Sequence, residues 1–430
     1  MENVKRFFTR AKAGDDILFI VFALAFTAFA TVVTLPLVSE YLQSADHDSH
    51  WYIAIAEGHI GEVLRPFSGR FLHPFLAGLL SAYFSLDIGT SFLLIAAPSL
   101  FFFLIAGYYM LKSAISSAFA IAPLFILPYF FSIYREFFVP DVFYIFLTAL
   151  FLLFISRRME GWGLVVLFLL FLARESTVLL GVILLAIQFL RGRKMLFAAT
   201  LAVIAISIFT AGRINDLGLP NAHGLGGITY LALKAPFNFA NNFLGAEPWI
   251  NTLDYCAPVV KFNLPPWPVF GSVREIGSCG FDASSPLRVA VSFLATFGIL
   301  PLVFARVFFP RFKSVLKEAP AWVVIALIYG VASFVVGSFI STGFERVMGY
   351  GWPAFLLATP ILFQKFFRPR KEIVIKLFAL HIFVAWLPAA LGIASGNYAI
   401  GMLLLAIAFS VAAYAYASRL LKKEESAEGV

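Results

Sequence analysis

Residues 46–58 read DHDSHWYIAIAEG and residues 65–74 read RPFSGRFLHP, in a chain that is otherwise strongly apolar. Together with His59 between them, the two pieces hold four of the six histidines and a dense set of acids and arginines. They follow an apolar run, residues 17–39, that is long enough to cross a bilayer. The charged groups are therefore expected at a membrane surface, and any chemistry is expected among them.

The composition predicts an all-α polytopic membrane protein. Hydrophobic residues make up 61% of the 430 residues and charged residues 13%, whereas soluble proteins carry about 25% charge. The net charge of +8 does not indicate a nucleic-acid partner, because most basic residues stand in short turns between apolar runs. No internal repeat divides the chain, so residues 1–430 are expected to form a single transmembrane domain.

Basic turns predict the topology through the positive-inside rule. They lie at 5–12, 157–158, 191–194, 311–317, 368–371 and 419–423. All of these turns fall inside if both termini are cytoplasmic and about twelve apolar runs cross the bilayer. The runs are 17–39, 88–111, 117–133, 138–156, 161–173, 176–190, 195–211, 286–305, 320–340, 351–367, 373–393 and 398–417.

Residues 71–86 form one further apolar segment, which is short for a span of about 20 residues. The basic turns all stay inside only if this segment does not cross, so it is predicted to be a helix at the outer interface. The first exterior loop, residues 40–87, then holds both the polar stretch and this helix. The alternative is a thirteenth span with one misplaced basic turn.

Residues 161–190 raise a second question of length, since they are too long for one span and short for two at about 1.5 Å per residue. Both flanks are basic, and this favours two short helices that meet at Arg174 and Glu175. Charges at that depth must face protein or a water-filled cavity. The sequence therefore predicts a polar cavity that reaches into the membrane.

A second exterior loop, residues 212–285, is rich in Gly, Pro, Asn and Trp and contains the only two cysteines, Cys256 and Cys279. Both cysteines lie in one loop on the oxidising side of the membrane, and this favours a disulfide between them. The alternative of two free thiols stays open at the level of sequence.

The charged groups predicted on the outer side fall in short turns, so they can converge on one cavity. Ion pairs that tie helix ends together are the alternative explanation, but charges at a membrane edge are a functional-site hypothesis by default. No spacing of ligand-type side chains indicates a metal site, although a divalent cation stays an open alternative. The groups are Asp46, Asp48, Glu57, Arg65, Arg70, Arg135, Glu136, Asp141, Arg174, Glu175, Glu345 and Arg346.

The pattern across residues 48–74 has an acid after the first span and a tyrosine four residues later. Ile-Ala-x-Gly and Arg-x-Leu-x-Pro follow. It resembles the GT-C superfamily, integral-membrane glycosyltransferases that use sugars linked to polyprenyl phosphates. The matching residues are Asp48, Tyr52, Ile55-Ala56-Glu57-Gly58 and Arg70-Phe71-Leu72-His73-Pro74. Weaker similarities are Pro140-Asp141, Ala173-Arg174-Glu175, and Gly343-Phe344-Glu345-Arg346 with Pro353.

The resemblance implies an inverting transfer of a sugar from a polyprenyl-phosphate donor to a hydroxyl of a glycan or lipid, at the exterior face of a bacterial inner or plasma membrane. A carboxylate takes the hydroxyl proton as general base, and Asp48 is the candidate, with Asp46 as the alternative. Arginine binds phosphate with a planar fork, which suits Arg70 and Arg346. The other candidate substrate-binding residues are Tyr52, Glu57, His73, Arg135, Asp141, Arg174, Glu175 and Glu345.

Two other classes of protein fit part of the pattern. About twelve spans with both ends inside is a common layout of transporters and lipid flippases, but no two-fold internal symmetry is apparent. A polymerase or ligase of lipid-linked glycans would share much of the site. Large exterior polar segments at 40–87 and 212–285 favour the transferase over the transporter.

Overall fold

The computed structural model describes residues 13–38, 48–112, 114–115, 117–220, 227–251, 256–266, 273–340, 344–393 and 400–427. In the first half of the chain the helices are α1 (Ala13–Thr34), α2 (Ser49–Ala56), α3 (Leu72–Phe84), α4 (Ile88–Leu111), α5 (Ala118–Ile121), α6 (Pro128–Arg135), α7 (Asp141–Ser156), α8 (Glu160–Ala173), α9 (Thr177–Leu190) and α10 (Lys194–Asn215).

The second half begins with a helix that packs against the later helices and leads into a small sheet. Helix α11 (Gly227–Leu244) leads into strands β1 (Ala246–Ile250), β2 (Val260–Asn263) and β3 (Glu275–Phe281). The remaining helices are α12 (Ser284–Phe297), α13 (Leu300–Phe308), α14 (Phe312–Glu318), α15 (Ala321–Ile340), α16 (Phe344–Met348), α17 (Thr359–Phe367), α18 (Lys371–Ala390) and α19 (Ile400–Ala427). A π-helical stretch, Pro353–Ala358, precedes α17.

The helices are those of a helical membrane protein. By length and composition, five stretches of the described residues can cross a bilayer, or seven if each of two bent helix pairs counts as one span. Other predicted runs form shorter apolar helices, such as α7 with 16 residues and α8 with 14. At about 1.5 Å per residue they fall short of a hydrocarbon core about 30 Å thick. The count of about twelve spans therefore stays a prediction.

The structure bears out the two-helix interpretation of residues 161–190. Helix α8 ends at Ala173 and α9 begins at Thr177, which leaves only residues 174–176 between them. The backbone of Arg174 is extended, with φ −162° and ψ 137°, so the helix stops there. Arg174 and Glu175 thus lie at a break between two apolar helices, where their side chains can turn into the protein.

Contacts between helix ends show in which direction α1 and α4 run through the bundle. Near the start of α1, Asp16 accepts a hydrogen bond of 2.6 Å from Tyr108 and pairs with Lys112, just after α4. The Arg157 guanidinium donates to the Tyr109 carbonyl at 3.3 Å. We call this the basic end of the bundle. Helices α1 and α4 are therefore antiparallel, and the chain leaves α1 and enters α4 at the opposite end.

The later basic turns lie at the same basic end. The Lys365 ammonium donates to the Glu318 carbonyl at 2.7 Å, which brings the ends of α14 and α17 together. Ile115, just beyond α4, lines one cavity together with Phe363 and Val374. The α17–α18 turn therefore lies beside the end of α4.

Part of the second exterior loop forms a small antiparallel sheet with strand order β1-β3-β2. The other regular elements of the described residues are helical, which agrees with the predicted all-α membrane protein. Leu233 of α11 packs with Ile250 and Val273 under the sheet, so the segment has a small apolar core of its own. A disulfide joins Cys279 in β3 to Cys256, which precedes β2.

The first exterior loop rests against the end of α10. Arg65 pairs with Asp216 at 3.2 Å and also donates to the Gly218 carbonyl at 3.2 Å. The Ser68 hydroxyl donates to the Asn215 side chain at 2.9 Å. These contacts give Arg65 a structural role: it fixes the loop that presents the polar stretch.

Candidate functional site

The site begins with Asp48 and helix α2, which starts at the next residue. Tyr52 lies four residues after Asp48, which places it one helical turn further along the same face. The Tyr52 side chain is buried, whereas the Asp48 side chain is 40% exposed. Helix α2 thus holds a carboxylate at the surface of the protein and a phenol beneath it.

Arg346 is the centre of the charged cluster. Its guanidinium lies 3.5 Å from the Asp48 carboxylate, 2.6 Å from Glu136 and 3.4 Å from Asp141. These three acids come from different elements: the start of α2, the end of α6 and the start of α7. One cation therefore holds the start of α2 against the junction of α6 and α7, two segments that are far apart in the sequence.

Asp141 is the buried anion of the cluster. Its side chain is inaccessible to solvent, and Arg174 and the Tyr350 hydroxyl both donate to its Oδ1 atom. As the first residue of α7 it also lies at the positive end of the helix dipole. The Arg174 guanidinium stacks 4.8 Å from the centre of the Tyr350 ring. Asp141 lies between Arg174 and Arg346, so it is suited to positioning the two arginines.

A second group of polar side chains surrounds Arg70. The Arg70 Nε and Nη2 atoms donate to the two Glu175 carboxylate oxygens at 2.9 and 2.6 Å, and Nη1 donates to the Tyr52 hydroxyl at 3.0 Å. Burial alone would lower the pKa of Arg70, but Glu175 and Tyr52 raise that pKa well above its ordinary value. The Arg70 side chain therefore stays charged.

The break between α8 and α9 links the two groups. Arg174 reaches Asp141 and its neighbour Glu175 reaches Arg70. The backbone of Arg174 is extended and a turn begins at Glu175, and the two adjacent side chains contact different groups. Together the two groups hold three guanidinium groups and four carboxylates within one polar site. The members are Asp48, Glu136, Asp141, Glu175, Arg70, Arg174 and Arg346.

Some predicted site residues do not join this network. Glu57 lies exposed after α2 and Arg135 lies exposed at the end of α6, and no described residue forms an ion pair with either. His73 is buried between the rings of Phe92 and Phe143, at 5.1 and 5.6 Å, and packs beside the network. Asp46 and the side chain of Glu345 lie outside the described residues.

The sequence placed Glu136 in the charged set but gave it no role in the site, and it did not single out Tyr350. Of the two neighbours Arg135 and Glu136, Glu136 is the one whose side chain contacts Arg346. Tyr350 donates to Asp141 and lies four residues after Arg346. That spacing on a helix places both side chains on one face, and it is the signal that could have found Tyr350.

The side chains of the site are suited to anion chemistry. Arginine forks bind phosphate in a bidentate manner, and an exposed carboxylate beside a cation can accept a proton. Among the described residues no group of three or more His, Cys, Asp or Glu is arranged to hold a metal ion.

Comparison of the chain with protein-family models, with curated proteins and with solved structures finds no match in any of the three.

Proposed function

We propose that the chain is an inverting glycosyltransferase of the membrane. In this proposal a sugar moves from a polyprenyl-phosphate donor to an acceptor hydroxyl on the non-cytoplasmic face, with Asp48 as general base. The observation that carries the proposal is the difference in exposure around Arg346. Asp48 is 40% exposed, Glu136 27% and Asp141 0%. Of these three carboxylates, Asp48 is the most accessible to an incoming hydroxyl.

The proposed reaction needs only a base and a stabilised leaving group. The acceptor oxygen forms a bond to the anomeric carbon, its proton passes to the Asp48 carboxylate, and the bond from the anomeric carbon to the phosphate oxygen breaks. The phosphate departs with the electron pair and gains negative charge. Arg346 lies 3.5 Å from Asp48 and is the cation placed to stabilise that charge. A lipid phosphate is already a good leaving group, so no strong general acid is required.

The other residues have supporting roles in this proposal. Asp141 and Tyr350 hold Arg174 and Arg346 side by side, and Arg70 offers a further fork for phosphate. Tyr52 keeps Arg70 in place through its hydroxyl. The substrates are then a polyprenyl-phosphate sugar and a glycan or lipid acceptor; no cofactor is proposed, and a divalent cation stays an open alternative.

The topology that goes with this function has about twelve spans, with both termini in the cytoplasm of a bacterial cell and the site outside. The antiparallel arrangement of α1 and α4 supports it, because α2 and α3 then begin and end at the same end of the bundle. A non-crossing α3, with 13 residues, satisfies that requirement.

The test compares sugar transfer in cells that carry the wild-type gene, no gene, or the Asp48→Asn variant. Mass spectrometry of surface glycans and lipids identifies the product that disappears with the gene. Asparagine keeps the shape of the side chain and removes the proton acceptor, so transfer should fall about 10²–10⁴-fold.

Three outcomes contradict the proposal once the Asp46→Asn variant is added to the comparison. If Asp48→Asn stays active while Asp46→Asn is inactive, the base lies two residues earlier. If both variants transfer sugar at the normal rate, this loop takes no part in the chemistry. A loss of substrate movement across the membrane, with no loss of transfer, indicates the transporter.

A further inference from the structure

The starting point is the geometry of the Arg70–Glu175 pair. Two parallel hydrogen bonds, of 2.9 and 2.6 Å, join the edge of the guanidinium to both carboxylate oxygens. Arginine uses the same edge and the same two bonds to bind a phosphate. Glu175 therefore occupies the part of Arg70 that a phosphate would need.

The two partners differ strongly in exposure. The Arg70 side chain is 11% exposed and the Glu175 side chain is 54% exposed. Tyr52 holds Arg70 from behind, and the Phe67 ring lies 5.4 Å from its guanidinium carbon. If the pair opens, Glu175 can return to water at little cost, whereas Arg70 stays in place as a desolvated cation. A buried charge without a partner is strongly unfavourable, so Arg70 needs another anion before Glu175 can leave.

The position of the Arg70–Glu175 pair indicates which anion would replace Glu175. Tyr52, the partner of Arg70, lies one helical turn from Asp48, and Glu175 is the neighbour of Arg174, which belongs to the Arg346 cluster. Any phosphate that approaches Asp48 and Arg346 therefore comes near the Arg70 fork.

We infer that Glu175 is a displaceable carboxylate that fills the anion fork of Arg70 until a phosphate-bearing ligand replaces it. The inference rests on the proposed function, because it names how the donor phosphate enters that site. Glu175 neutralises Arg70 while no phosphate is bound and moves into solvent as the phosphate binds. Removing this acid should thus strengthen the binding of an anion, although it deletes an ion pair from the protein.

The test measures binding of a sugar-free probe to the purified full chain by titration calorimetry. The probe is farnesyl monophosphate. Displacing an exposed carboxylate costs up to about 1 kcal/mol, so Glu175→Gln should bind the probe roughly 2–5-fold more tightly than wild type. Glu175→Asp keeps the charge but is too short to span both bonds, so its affinity should lie between the two. Arg70→Gln should lose at least about tenfold in affinity.

Matched controls separate this effect from a general change in charge. Glu160→Gln removes an acid from the Arg193–Glu160 pair at the basic end and should leave binding unchanged. Farnesol, which has no phosphate, should not respond to Glu175→Gln. Tightening with inorganic phosphate as well as with the probe indicates a site for free phosphate, and tightening with the probe alone indicates a lipid headgroup.

Equal or weaker binding of the probe to folded Glu175→Gln overturns the inference, and thermal unfolding establishes that the variant is folded. If that variant does not fold, Glu175→Asp decides, with unchanged or weaker binding as the contrary result. Since the probe carries no sugar, binding is measured without transfer. A failed displacement is thus distinguishable from a failed glycosyltransferase proposal.

Discussion

At the scale of single residues, exposure assigns different tasks to chemically identical groups. Asp48 and Asp141 are both aspartates within 3.5 Å of Arg346, yet one side chain is 40% exposed and the other is inaccessible. Asp141 has two arginines and a tyrosine around it, so it is a weak base and holds those side chains in position. Among the described residues the Asp48 carboxylate pairs with one arginine, and part of it faces solvent.

This difference in exposure predicts that the same Asp→Asn substitution destabilises the protein by different amounts at the two positions. Asp141→Asn leaves two buried arginines short of their counter-charge, so it should destabilise the folded protein by about 3–5 kcal/mol. Asp48→Asn breaks one exposed ion pair and should change stability by about 0–1 kcal/mol. Thermal unfolding of the purified variants in detergent measures both. Equal losses of stability would contradict the division between a base and a positioning residue.

Sequence reasoning reached most of the site at this scale because charges in an apolar chain stand out. It could not choose between neighbours: Arg135 and Glu136 were both in the charged set, the substrate-binding role was given to Arg135, and Glu136 makes the contact with Arg346. Which of two adjacent side chains turns inward depends on where helix α6 ends. Tyr350 was missed because a tyrosine near a membrane surface has an ordinary role as an interfacial aromatic.

At the scale of elements, close packing of α2 on α3 fixes the position of Asp48. A Cβ atom at Gly78 of α3 would overlap the Ala56 carbonyl oxygen at the end of α2. Gly78→Ala should therefore push α2 outward, moving Asp48 away from Arg346 and lowering transfer by about tenfold or more, since about 1 Å of misplacement can cost 10²-fold. Sugar transfer by the variant measures this effect.

The control for that substitution is Gly161→Ala in α8, where an added Cβ meets nothing within 4 Å. It should leave transfer unchanged and slightly favour the helix. Normal transfer by Gly78→Ala would show that α2 tolerates the shift and that its packing does not set the geometry of the site.

The exterior sheet offers a test at the same scale. The disulfide closes a loop with a sequence separation of 23 residues, for which the chain-entropy model gives about 3 kcal/mol of stabilisation. Replacing both cysteines by serine should make the segment around β2 and β3 sensitive to protease while the bundle stays intact. Limited proteolysis followed by mass spectrometry measures this, and an unchanged cleavage pattern would contradict it.

The sheet also shows why the all-α prediction was incomplete. Residues 246–281 are rich in Gly and Pro, and composition of that kind predicts a loop. The strands are short, with 5, 4 and 7 residues, and they pair only because the chain returns on itself. Residues 161–190 behaved differently, since length and flanking charge alone were enough to predict the two helices.

At the scale of the whole molecule, the bundle has two chemically distinct ends. The basic residues that follow α4, α7 and α17 lie together with the basic helix α14, and the charged cluster of Asp48 and Arg346 lies where α1 ends and α4 begins. A protein with this polarity has one preferred orientation in a bilayer, because basic turns stay in the cytoplasm.

Introduced cysteines test that orientation in a background without Cys256 and Cys279. Single cysteines at Glu62, Thr90 and Leu217 should react with a membrane-impermeant maleimide in intact cells. Cysteines at Arg158 and Met195 should react only after the membrane is opened. Glu62 and Thr90 flank α3, and the antiparallel pairing of α1 and α4 puts both on one side. Labelling of Glu62→Cys and Thr90→Cys from opposite sides would make α3 a true span and remove the non-crossing helix from the proposed topology.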